Sequence, residues 1–145
     1  MTWPTPQPGL VIRYSYLWFS EARAGREEGV KDRPCAIVLA IAAAQDRKRV
    51  IVLPITHREP QPPEEGIELP LAVKTRLGLD QERSWVIVTE GNDFIWPGPD
   101  LRPLAAEGPE SVAYGFLPPR LFNAIQSRFL VRARTGQASM TKRTE

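Results

Sequence analysis

Three apolar runs dominate the first half of the chain and set its expected fold. GLVIRYSYLWF, residues 9–19, is dense in β-branched and aromatic residues, and its second half sets Tyr14, Tyr16 and Trp18 against Arg13, Ser15 and Leu17. Alternation with a period of two predicts a strand. RPCAIVLAIA (33–42) and RVIVLPIT (49–56) are two further apolar runs, joined by a polar connection that contains Gln45, Asp46, Arg47 and Lys48. Two such runs on a short polar link predict an antiparallel hairpin. SEARAGREEGVKD (20–32) is charged, carries two glycines and has no apolar face, which predicts a long exposed loop.

Beyond the hairpin, REPQPPEEG (58–66) is too rich in proline for regular structure. IELPLAVKTRLGL (67–79) predicts a brief strand and one short helix stopped by Gly78, and RSWVIVTEG (83–91) predicts the next strand. In NDFIWPGPDLRP (92–103), Pro97, Gly98, Pro99 and Asp100 predict turns in place of a central strand. SVAYGFL leads into PPRLFNAIQSRFLVRA, where Pro118 or Pro119 opens a helix and Leu121, Phe122, Ile125, Phe129 and Leu130 form one apolar stripe. TGQASMTKRTE has no core-forming pattern. The expectation is one mainly β domain over 1–132 and a disordered basic tail over 133–145. A small, strongly curved antiparallel β-barrel with a short internal helix and a C-terminal helix fits these elements.

Composition narrows the class. The chain has 145 residues, 42% hydrophobic and 25% charged, as in an ordinary globular protein, but its 15 prolines favour short strands and irregular loops. The longest apolar run, residues 34–44, is far below the roughly 20 residues that cross a bilayer, and MTWPTPQPGL lacks the pattern of an export signal. A cytoplasmic location is expected. Cys35 is the one cysteine and His57 the one histidine, so neither an internal disulfide nor a zinc site is expected. The formal charge of +2 is uneven: six basic residues and only Glu145 follow Pro119, a local +5 that is first of all a solvated helix face and tail.

The hairpin brings chemistry together. With a turn centred near residues 45–46, Arg33 falls opposite a residue between 56 and 60, which makes Arg33 and Thr56 neighbours at its open end. Alternation puts Thr56 with Pro54 and Val52, and His57 with Ile55 and Leu53, so both enter one site only if the strand ends or bulges at Thr56. Pro54, which cannot donate to a ladder, suits an edge or a bulge.

Taken together, GLVIRYSYLWF, the Arg-Pro that opens RPCAIVLAI, the Pro-x-Thr that ends VLPITH, and a later strand that ends near an acid (WVIVTEG) resemble the PemK/MazF family of toxin endoribonucleases. The resemblance covers roughly residues 8 to 131. It implies an SH3-like β-barrel, a homodimer neutralised by an antitoxin protein, and metal-independent cleavage of single-stranded RNA without a cofactor. Arg33 and Thr56 fall where the family has its catalytic arginine and threonine. Glu90 falls near the acid that some relatives use in proton transfer, although Val88 stands where those relatives have an arginine; His57 is the other candidate base. Trp18, Phe94 and Trp96 are candidate stacking platforms for RNA bases, with Arg58 on the rim. The alternatives are a non-catalytic barrel that binds protein or nucleic acid, and a toxin of the same barrel that poisons a protein such as gyrase.

Overall fold

The expected hairpin forms between β2 (Arg33–Ala42) and β3 (Lys48–Thr56). A computed structural model describes residues 3–27, 29, 31–104 and 111–143. Its turn is centred on Gln45 and Asp46, with φ of 61° and 58°. Two successive positive φ values give a tight reversal the twist that flanking strands require. Cys35 pairs with Pro54 and Ile37 with Val52, and a bulge between Ile37 and Leu39 shifts the register by one towards the turn.

Around the hairpin stand β1 (Leu10–Tyr14), β4 (Gly66–Glu68), β5 (Trp85–Ile87), β6 (Glu90–Trp96), β7 (Ala113–Phe116) and β8 (Ser139–Lys142). The main path runs β4-β5-β3-β2-β1-β7, and β6 and β8 branch from β3. All pairs are antiparallel except β6 with β8. The sheet is mainly antiparallel, as expected, but it is not closed into a barrel: β4 and β7, at the ends of the path, do not pair.

Strand alternation divides the core in two. Ile12, Tyr14, Cys35, Ile37, Val50, Val52, Phe94 and Trp96 pack on one side. Val11, Ala36, Leu53, Ile55 and Val86 pack on the other, under α3 (Pro119–Arg134) and Leu77 of α2 (Leu71–Leu77). Strands covered on both faces read as unbroken apolar runs, which is why β2 and β3 are so plain in the sequence. Gly78, with φ of 75°, stops α2 where the sequence places its end, and Pro119 opens α3, whose Ile125 and Phe129 are buried.

Three expectations are corrected. The loop over 20–32 contains a short helix, α1 (Phe19–Arg23), fastened by Glu21, whose carboxylate accepts the Trp18 N–H at 3.0 Å; Glu28 and Val30 lie outside the described residues. Residues 92–96, expected as turns, belong to a strand that starts at Glu90 and lies between β3 and β8, because Pro97 and Pro99 follow the strand and cost it no ladder bond. The expected tail over 133–145 continues α3 to Arg134 and then adds β8, with Thr141 and Arg143 buried; Thr144 and Glu145 lie outside the described residues.

Glu65, just before β4, clamps α3. Its carboxylate accepts Nε and Nη2 of Arg128, both at 2.9 Å, and Nε of Arg132 at 2.8 Å. The Arg128 hydrogen bonds, followed by those of Arg132, hold this carboxyl below the ordinary glutamate range. A depressed carboxyl contributes stability above the unfolded value, about pH 4, and loses it as pH falls through the folded value. Urea unfolding at pH 7 and near pH 3 is therefore expected to show a smaller acid loss for Glu65→Gln than for the native chain; equal losses refute the clamp.

Candidate active-site cleft

The open end of the hairpin faces a cleft of about 810 Å³. β2 contributes Arg33, the end of β3 contributes Thr56, His57 and Arg58, the start of β6 contributes Glu90, and the turn into α1 contributes Trp18. The pairing of Cys35 with Pro54, two residues inward on each strand, puts Arg33 level with Thr56. β3 ends at Thr56 and the chain bends at His57, so these two consecutive residues line the same cleft. Pro54 lies in the gap where β3 leaves β6, last paired at Val52, and reaches β5, first paired at Ile55.

Arg33 is half-buried and makes no ion pair among the described residues. Asp32, its neighbour, pairs elsewhere, with Arg13 at 3.8 Å and Arg102 at 3.5 Å. The Arg33 guanidinium instead lies 4.9 Å from the Trp18 ring centroid, and its buried Nε has no partner. Burial lowers its pKa from the ordinary arginine value. Glu21 opposes that shift, and Arg58, a second positive charge, adds a smaller push downward. The Arg58 N–H donates to Thr56 Oγ1 at 3.2 Å, which leaves the threonine proton free to donate onward. A half-buried guanidinium without a carboxylate, beside a free hydroxyl donor, is suited to an anion with oxygen acceptors.

Glu90 is half-buried, with Oε1 accepting the Tyr16 hydroxyl at 2.9 Å and the Phe19 N–H at 3.0 Å. Burial raises its carboxyl above the ordinary range, against the lowering effect of those two donors. Tyr16 also packs edge-on to Trp18, with centroids 5.1 Å apart, so the start of β6 fixes the aromatic that holds Arg33.

Lys74, Asp80 and Ser84 also line the cleft and are not among the site residues read from the sequence. Lys74 on α2 is 2% exposed, and its Nζ donates to Asp80 Oδ1 at 2.9 Å, to Ser84 Oγ at 2.7 Å and to the Glu82 carbonyl. Asp80 in turn lies 2.8 Å from His57 Nε2 and is held below the ordinary aspartate range, first by the Lys74 hydrogen bond. One signal was available: Lys74 lies three residues before Leu77, on the face of α2 that is buried. The remaining sequence candidates do not belong here. Phe94 is 4% exposed and stacked on Tyr14 at 4.7 Å, and Trp96 is 8% exposed beside it; β6 points both into the core, so neither is a platform for bases.

Among the described residues, the one group able to offer three ligands to a metal ion is His57, Asp80 and Glu82, whose atoms lie within 4.8 Å of one another. The Lys74 Nζ on the same Asp80 carboxylate opposes a cation there. No described helix is long and apolar enough to cross a membrane. Comparison of the chain with family models, curated proteins and solved structures gives no match.

Proposed function

We propose that the chain is a metal-independent endoribonuclease that cuts single-stranded RNA, the toxin of a toxin–antitoxin pair with an SH3-like relation to the PemK/MazF family. The observation that carries the reading is Arg33: a half-buried guanidinium that makes no ion pair among the described residues, held against Trp18 beside the Thr56 hydroxyl in an open cleft. Attack of a ribose 2′-hydroxyl on the neighbouring phosphorus builds charge on the phosphate oxygens, and donors already in place lower that barrier without reorganising. Arg33 offers a fork to those oxygens and Thr56 adds a hydrogen bond. Arg58 attracts the backbone, and Trp18 closes over Arg33 at the edge where a base enters. The products are a 2′,3′-cyclic phosphate and a 5′-hydroxyl. On this reading the protein works in the cytoplasm as a homodimer, and an antitoxin restrains it by covering the cleft.

The test is cleavage of a mixed-sequence single-stranded RNA by purified protein in excess EDTA, with the new ends identified. Cyclic-phosphate ends are expected, and Thr56→Ala is expected to slow cleavage by about 10²-fold, the cost of one oxyanion donor. A folded protein that cuts no RNA across many sequences refutes the nuclease and leaves a binding module or a toxin aimed at a protein.

A further inference from the structure

The nuclease reading leaves one role open, the base that takes the 2′-hydroxyl proton. Glu90 and His57 both line the cleft, but the fold commits them differently. Glu90 has its Oε1 engaged by the Tyr16 hydroxyl and the Phe19 N–H, and so fastens the start of α1. Among the described residues, His57 is held at one nitrogen only. Its Nε2 lies 2.8 and 3.1 Å from the two oxygens of Asp80 and 3.9 Å from the Glu82 carboxylate. A ring nitrogen that faces carboxylates carries the proton, so the neutral imidazole keeps its hydrogen on Nε2 and has its lone pair on Nδ1.

Asp80 is itself fixed from behind. Lys74 reaches it through a wall of the cleft, with its ammonium shared among Asp80 Oδ1, Ser84 Oγ and the Glu82 carbonyl. The Glu82 N–H also donates to Asp80 Oδ1, at 3.1 Å. An ammonium has three donors, and all three are used inside the protein, so Lys74 has none to spare for a phosphate. What it does is hold Asp80 ionised and in place at the back of the imidazole.

We propose that Lys74 and Asp80 are positioning residues that present His57 Nδ1 as the general base for RNA cleavage. The inference rests on the endoribonuclease reading above. As O2′ bonds to phosphorus, its proton passes to Nδ1. The bond from phosphorus to O5′ breaks, the departing oxygen takes a proton from water, and the imidazolium returns its proton to the hydroxide left behind. Buried Lys74, ionised Asp80 and His57 form one chain, ordered from the core to the cleft.

His57 is the one histidine in the sequence, so nitrogen-15 labelling of histidine reads a single ring. The neutral ring is expected as the Nε2–H tautomer in the native chain, and as a mixture in Asp80→Asn. His57→Ala is expected to slow RNA cleavage by about 10²-fold to 10⁴-fold, and added imidazole to restore part of it. Asp80→Asn, at a half-exposed position where the amide oxygen can still accept from Lys74, is expected to cost on the order of 10²-fold, by loosening the ring's tautomer. Cleavage that depends on Arg33 and runs at the native rate in His57→Ala overturns this inference and leaves the nuclease standing. So does a native ring protonated on Nδ1. Absence of Arg33-dependent cleavage in the native chain ends the nuclease reading, and the base with it.

Discussion

Arg33→Ala is expected to slow RNA cleavage by about 10³-fold or more while leaving the urea midpoint nearly unchanged. Removal of one neutral donor from a developing oxyanion costs roughly 10²-fold to 10³-fold, and Arg33 would contribute a full charge on a planar fork. The stability side follows from how the residue is kept. Burial lowers its pKa by more than the nearby Glu21 charge restores, and no described carboxylate forms an ion pair with it, so the folded state bears a cost for keeping the charge there. Truncation relieves that cost and loses the contact with the Trp18 ring, about 0.5–1 kcal/mol at a partly exposed site. The two effects oppose each other. Arg33→Lys is not expected to restore the rate, because a point charge cannot grip two phosphate oxygens as the fork does. Single-turnover cleavage in EDTA beside urea unfolding decides it. Native-rate cleavage by Arg33→Ala refutes the assignment, and an unfolded variant shows that Arg33 is a structural residue.

What the sequence disclosed and what it hid follow one physical division. Antiparallel pairing is arithmetic: the turn at Gln45 and Asp46 sets the pairs next to it, and the one-residue bulge between Ile37 and Leu39 shifts the count so that the register, continued two residues beyond Cys35 and Pro54, brings Arg33 level with Thr56. The ambiguity over His57 also had a physical answer, since β3 stops at Thr56 and two neighbours of opposite parity reach one cleft. No such arithmetic links β3 to the far end of α2. The contact from Asp80 to His57 spans 23 residues of loop, strand and helix, and only the folded chain sets it. Phe94 and Trp96 are hidden from a sequence reading for a different reason, because the prolines that follow them end a strand and do not break it. Closure into a barrel depends on whether two distant strands meet, and β4 and β7 do not.

The C-terminus gives the sharpest disagreement, and it carries the second large effect. Four residues of β8 have no hydrophobic pattern and pair in parallel with β6, a strand about 50 residues away in sequence whose existence the prolines concealed. Arg143 follows. It is 6% exposed, and its guanidinium donates to the Ser15 carbonyl at 2.7 Å and to Asn92 Oδ1 at 3.1 Å, pairs with Asp100 at 3.0 Å, and lies 5.5 Å from the Tyr14 ring centroid. Asn92, fully buried, meanwhile bonds both the N–H and the carbonyl of Leu17. Arg143 and Asn92 thus pin the segment that leads directly into Trp18 and α1, on the wall of the cleft. Arg143→Ala removes a buried guanidinium from Asp100, Asn92 and the Ser15 carbonyl at once, and breaking a buried pair from one side costs about 3–5 kcal/mol. A disordered tail would make the same substitution neutral. Urea unfolding is expected to show the large loss, and RNA cleavage by the fraction that remains folded is expected to fall as well, since Trp18 no longer holds Arg33 in register with Thr56. A native midpoint for Arg143→Ala would show that the strand after α3 is dispensable, and with it the link between the chain's end and the cleft.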